Sequence, residues 1–250
     1  MTEHDYLGPQ GLRTRGTVLV LPGRGETRRS YARFGTRLAA DSYRVRVLAA
    51  PDADAGSADR LAAELTAAVT DLGPDLVHPL VLIGSDLGAA ALAALVAREE
   101  TGAAWWPDAV VLAALPGYGT HGSDAWDDEL DARTHCAVHR GVLSDDTEVA
   151  RGTLDRAVPS ALLDAAYGNA VDVPHLLLVG DADPYADRAA LTSAAKTLPR
   201  ARLAVVRGGH HDVLNDLQHR SVAAEIVTFL EVLRDGTPLV PIVDVESSAW

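Results

Sequence analysis

Four glycine-rich stretches carry the side chains best suited to chemistry: "LPGRGE", "LIGSDLGAA", "VGDADPY" and "RGGHHDVLND". They supply, in chain order, a loop of backbone amides, Asp86 beside Ser85, the acids Asp181 and Asp183, and the adjacent His210 and His211. A carboxylate at neutral pH is already ionised and can attack an activated carbon. A histidine oriented by a second carboxylate can then take a proton from water.

The steric frame around residues 84–89 decides which residue stands at the turn. A strand-to-helix turn that projects a side chain from its apex needs small residues two before and two after it. With Asp86 at the apex these are Gly84 and Gly88, and Ala89 is small as well. With Ser85 at the apex they become Ile83 and Leu87, which would clash where strand and helix cross. The frame therefore selects Asp86. A plain helix start, with Ser85 or Asp86 capping by accepting backbone N–H bonds, is the bland alternative. The other three stretches, falling in order, weigh against it.

Short β-branched runs alternating with Ala/Leu-rich runs must position these groups. Strands are expected at 16–23, 43–51, 79–84, 108–117, 174–181 and 201–208, and helices at 28–42, 57–72, 87–100, 186–197 and 214–234. Continuous apolar strands between helices predict a parallel sheet covered on both faces, with ligands at the carboxyl ends of the strands. Residues 118–172 break the rhythm: polar, acidic and without an obvious strand, they read as loops and short helices inserted over that edge. The tail 235–250 reads as an extended arm that packs on the body or on a second subunit, so a homodimer is one expectation.

The order of the four stretches resembles the α/β-hydrolase superfamily over residues 16–234, and within it small bacterial esterases and lysophospholipase-like proteins. The resemblance implies an α/β-hydrolase fold, one domain over 1–250 with a mostly parallel sheet, helices on both faces and a small cap at 118–172. It implies Asp86 at the nucleophile position, Asp183 as the orienting acid and His211 as the histidine, with His210 as runner-up. A helix-capping Asp183 before Pro184 is the plain alternative. The main-chain N–H groups of Arg24 and Leu87 would form an oxyanion hole. Ser85, Tyr118, Tyr167 and His210 are candidate substrate contacts, the tyrosines as proton donors.

An aspartate at the apex changes the chemistry. Attack on an sp3 carbon with a leaving group or a strained ring leaves an ester on Asp86, which His211 and water then hydrolyse. Attack on an ordinary ester would give an anhydride, so an epoxide-type substrate fits better. Relatives using this chemistry usually carry Trp after the nucleophile; here Leu87 stands there, as in the serine esterases. Three readings stay open: an Asp86-nucleophile hydrolase acting on an epoxide or activated ester, an esterase-like enzyme using Asp86 as base or Ser85 as nucleophile, and a lyase or ligand-binding protein.

The remaining features narrow the classes. A net charge of −13 argues against nucleic acid and anionic membranes. Hydrophobic residues make up 48% of the chain, enough for a large core, with no run long enough to span a membrane. Cys136 is the one cysteine, so no internal disulfide forms; with no signal-like N-terminus, a cytoplasmic small-molecule enzyme is expected. "PGRGE" lacks a phosphate-loop or dinucleotide spacing, so no organic cofactor is expected. His121, His135 and His139 show no zinc-like spacing, so no metal is expected, and they read as solvated or substrate-facing. Arg24 and Glu26 read equally as substrate contacts or an exposed ion pair. Trp105 and Trp106 read as core or interface, and Trp126 as pocket-lining or exposed.

Overall fold

The computed structural model describes residues 5–54, 56–98, 100–119, 125–236 and 239–243. His121 and most of the expected C-terminal arm lie outside the described residues.

Seven strands form one sheet in the order β1-β3-β2-β4-β5-β6-β7. These are β1 (Asp5–Tyr6), β2 (Gly16–Leu21), β3 (Tyr43–Val47), β4 (Leu80–Ser85), β5 (Ala109–Ala113), β6 (His175–Gly180) and β7 (Ala201–Val206). All pairings are parallel except β1 on β3. The short antiparallel β1 falls in a stretch where the sequence suggested no strand. Its Asp5 carboxylate pairs with Arg46 at 2.6 Å.

Side chains alternate between faces with the period of two that a strand imposes. Val18, Val20, Val81, Ile83, Val111 and Leu178 face α1 (Ala32–Ala40) and α8 (His219–Asp235). Leu19, Leu21, Leu80, Leu82, Leu112 and Leu177 face the other layer, with α2 (Ser57–Leu72), α3 (Leu87–Val96) and α7 (Arg188–Thr197). Every residue of α3 is buried, because the helix is sandwiched between the sheet and its neighbours. Trp105 joins this core.

Strand order reverses between β2 and β4, since β3 lies on one side of β2 and β4 on the other. The loops leaving β2 and β4 therefore diverge and open a crevice at the strands' carboxyl ends. The first carries Arg24 and the second carries Asp86.

The insertion holds three helices and, among its described residues, no strand: α4 (Trp126–Arg133), α5 (Ala137–Asp145) and α6 (Ser160–Tyr167). Leu130, Leu143, Val149 and Trp126 give it a small core of its own, while α6 packs on α3. Four expected helices are shorter than their periodicity suggests: α3 ends at Val96, α7 starts at Arg188, and α1 and α8 start late. Residues 28–31 form a 3-10 turn, capped reciprocally by Thr27 and Ser30, before α1. The last helix starts at His219, because residues 212–216 turn sharply, with Asn215 N–H on Asp212 O at 2.8 Å. No helix among the described residues is long and apolar enough to cross a membrane.

Candidate active site

β4 ends at Ser85 and α3 begins at Leu87, so Asp86 makes the turn alone, at φ 49° and ψ −117°. Such a backbone costs a non-glycine residue about 1–3 kcal/mol and persists only where its surroundings enforce it. Here the flanking glycines do. A Cβ on Gly84 would lie 2.5 Å from Gly88 O, and one on Gly88 would lie 2.5 Å from Leu21 O. Ser85 does not reach the apex. It is buried on the α1 side of the sheet, beside Tyr31.

His211 links two carboxylates. Its Nδ1 lies 2.9 Å from Asp183 Oδ1, and its Nε2 lies 3.2 Å from Asp86 Oδ1, within ion-pair reach but off the hydrogen-bond line. Asp183 does not cap the following helix; Asp187 does, accepting from Ala190 N at 2.8 Å. Asp183 instead fixes its own loop through Tyr185 N at 2.9 Å. Of the adjacent histidines, His211 meets Asp183, whereas His210 bonds Asp216 at 2.9 Å and lies 3.8 Å from exposed His135 with the rings tilted.

Arg24 contributes more than the expected amide. Its backbone N donates to Asp86 Oδ2 at 2.8 Å, its Nε to the same oxygen at 2.8 Å, and its Nη2 to Oδ1 at 2.7 Å. The expected exposed pair of Arg24 with Glu26 is thus corrected: both are buried, and Arg24 pairs with Asp86. The Arg24 backbone N–H is thus taken by the Asp86 carboxylate itself. Leu87, as first residue of α3, brings an amide from the turn whose donors lack intrahelical partners.

The electrostatics follow from burial and pairing. Burial alone would push the Asp86 carboxyl up, but the Arg24 charge and His211 hold it well below the usual range. Burial would likewise lower His211; Asp183, then Asp86, outweigh that and push it up to about 10. Asp86 is 2% exposed and His211 fully buried, so water screens neither. Tyr185, from the quoted "GDADPY", closes the group: its ring stands edge-on to His211 at 5.2 Å and under Arg24 at 5.7 Å. No sequence motif marks a tyrosine two residues after Asp183, so only the fold reveals it.

The expected tyrosine contacts have partners of their own. Tyr118 is half exposed and bonds Asp164 at 2.8 Å; Tyr167 bonds Pro116 O at 3.0 Å; their rings stack at 6.0 Å. His139, expected to be solvated or substrate-facing, is buried and bonds Asp212 at 2.9 Å. The helices of the insertion bring it there. Arg133, at the end of α4, is buried and bonds Glu129 at 2.8 Å, Asp212 at 3.4 Å and Arg24 O at 2.6 Å. Glu26, His139 and Asp212 place one potential metal-ligating atom each within 4.8 Å of one another. Burial, with the Asp212 charge adding, pushes the Glu26 carboxyl up to about 7.

No protein-family model matches the chain, and no curated protein matches it. Solved structures do resemble it. A soluble variant of monoglyceride lipase from Saccharomyces cerevisiae superposes with a TM-score of 0.70 at 14% identity, over 92% of this chain and 90% of that one. A monoacylglycerol lipase from Paleococcus ferrophilus gives 0.71 at 16% identity, over 92% and 97%. A type II thioesterase from the yersiniabactin NRPS/PKS biosynthetic pathway gives 0.57 at 18% identity, over 90% and 96%. With its sheet order and its one-residue turn at Asp86, the chain has the α/β-hydrolase fold.

Proposed function

We propose that the protein is a hydrolase of a small-molecule epoxide, with Asp86 as nucleophile, His211 moving protons and Asp183 orienting His211. The observation that carries this reading is Asp86 alone at a strained apex, with His211 Nε2 at 3.2 Å and Asp183 behind it at 2.9 Å.

An Asp86 oxygen bonds to a ring carbon, and the carbon–oxygen bond of the ring breaks. Esterified Asp86 no longer neutralises Arg24, and an unpaired buried charge costs about 3–5 kcal/mol. The new alkoxide takes that place beside Arg24 and receives the Nε2 proton of His211. Neutral His211 then removes a proton from water, which attacks the ester carbonyl. The amides of Arg24 and Leu87 hold the resulting oxyanion. Collapse expels the diol, whose oxygen takes the remaining acid proton, and restores the Asp86 carboxylate.

Turnover in heavy-oxygen water tests the scheme. The label is expected in the Asp86 peptide by mass spectrometry after the first cycle, and in product only in later ones. Label in product with Asp86 unlabelled overturns it. That outcome supports a second reading, ester hydrolysis with Asp86 as base toward water, which Leu87 after the apex and the lipase and thioesterase neighbours favour. The Arg24 clamp on both Asp86 oxygens favours a third, a ligand-binding protein, which would bind saturably without turnover.

A further inference from the structure

A second group of ionisable side chains sits beside the Asp86–His211–Asp183 row and takes no part in it. Glu26 lies in the loop of Arg24 after β2, His139 on α5 and Asp212 directly after His211, and all three are buried. His139 Nε2 and Asp212 Oδ2 are 2.9 Å apart. Two ligands each about 2.0–2.2 Å from one ion, at right angles, stand about 3 Å apart.

Glu26 supplies an independent sign. Its Oε2 accepts from Gly23 N at 2.9 Å and from the Tyr31 hydroxyl. Its Oε1 is buried with no hydrogen-bond partner. Leaving such an atom unsatisfied costs about 1–3 kcal/mol, more for a charged group. Charge points the same way. Arg133 serves both Glu129 and Asp212, and Glu26 forms no ion pair among the described residues. With His139 neutral and Glu26 ionised, as ligands must be, three buried carboxylates face one guanidinium, a deficit equal to the charge of a divalent cation.

The geometry points to a divalent metal site formed by Glu26 Oε1, His139 Nε2 and Asp212 Oδ2. Two carboxylate oxygens and one imidazole suit a first-row ion such as Mn2+ or Zn2+ better than Ca2+, which takes oxygen ligands. The ion would join the loop after β2, helix α5 of the insertion and the loop before α8. It would thereby hold three distant segments around the apex, and it takes no step in the proposed hydrolysis.

Full-length protein, treated with chelator and repurified, is titrated with MnCl2 and with ZnCl2 and followed by calorimetry and metal analysis. Saturable uptake of one ion per chain and a higher unfolding temperature are expected. The Mn2+ form should show imidazole-nitrogen coupling in its pulsed EPR spectrum. Glu26→Gln, nearly isosteric, and His139→Gln should each weaken binding about tenfold or more, and His139→Gln should lose the nitrogen coupling. No uptake of either ion at millimolar concentration, or uptake unchanged in both variants, overturns the site. If His139→Gln does not fold, the wild-type spectrum decides alone: absence of nitrogen coupling overturns the assignment.

Discussion

At Asp86, charge and backbone strain are bound together. The left-handed turn aims the carboxylate at Arg24 and His211, and their positive charges hold it ionised in a site almost without water. Removing one partner of a buried pair strands the other, so Arg24→Met should lower stability by about 3–5 kcal/mol in urea unfolding. Asp86→Asn keeps the size of the side chain and removes the proposed nucleophile. It should abolish epoxide turnover while ligand binding persists, as read by calorimetry with substrate. Turnover by Asp86→Asn at the wild-type rate would remove Asp86 from the reaction.

The two elements that meet at the apex leave no room for a methyl group. A Cβ on Gly88 would sit 2.5 Å from Leu21 O and 2.6 Å from Pro22 O, both backbone atoms of the β2 end. Gly88→Ala should therefore cost at least about 1–3 kcal/mol in thermal or urea unfolding, the range of an overpacked core. A wild-type midpoint would show that the crossing can relax. The insertion is fastened as firmly. His211 N donates to Ala132 O at 3.1 Å and Asp212 N to Arg133 O at 2.8 Å, so the end of α4 shares backbone bonds with the histidine loop. Arg133→Met leaves Glu129 and Asp212 without their shared cation. Hydrogen exchange should then quicken in α4 and in residues 207–216 while β4 and β5 stay protected.

At the scale of the whole molecule, pH stability should carry the mark of His175, fully buried in β6. Burial lowers it to about 4, against an unfolded value near 6.5. The unfolded chain thus binds the extra proton between those values. The His175 contribution is complete above about pH 6.5 and is lost, by roughly 3 kcal/mol, as pH drops toward 4, while the raised Glu26 carboxyl works in the opposite direction between about 4.5 and 7. His175→Gln should flatten that slope in denaturation curves taken across the range; an unchanged slope would assign it to other groups.

The sequence by itself determined the alternation of buried strands and helices and the apex at Asp86. Both rest on rules acting between residues a few positions apart: period-two burial, and the need for Gly84 and Gly88 around a turn of one residue. Adjacent His210 and His211 could not be separated that way, because only the fold shows which ring meets Asp183. The Arg24 clamp, the buried role of His139 and the grouping of Glu26, His139 and Asp212 were likewise decided only by tertiary structure. Their partners come from the β2 loop, the insertion and the histidine loop, and no local spacing records them. Mutual pairing then holds buried Arg24 charged and Asp86 ionised, because a paired ion in a dry interior and the same ion at the surface differ by several kcal/mol.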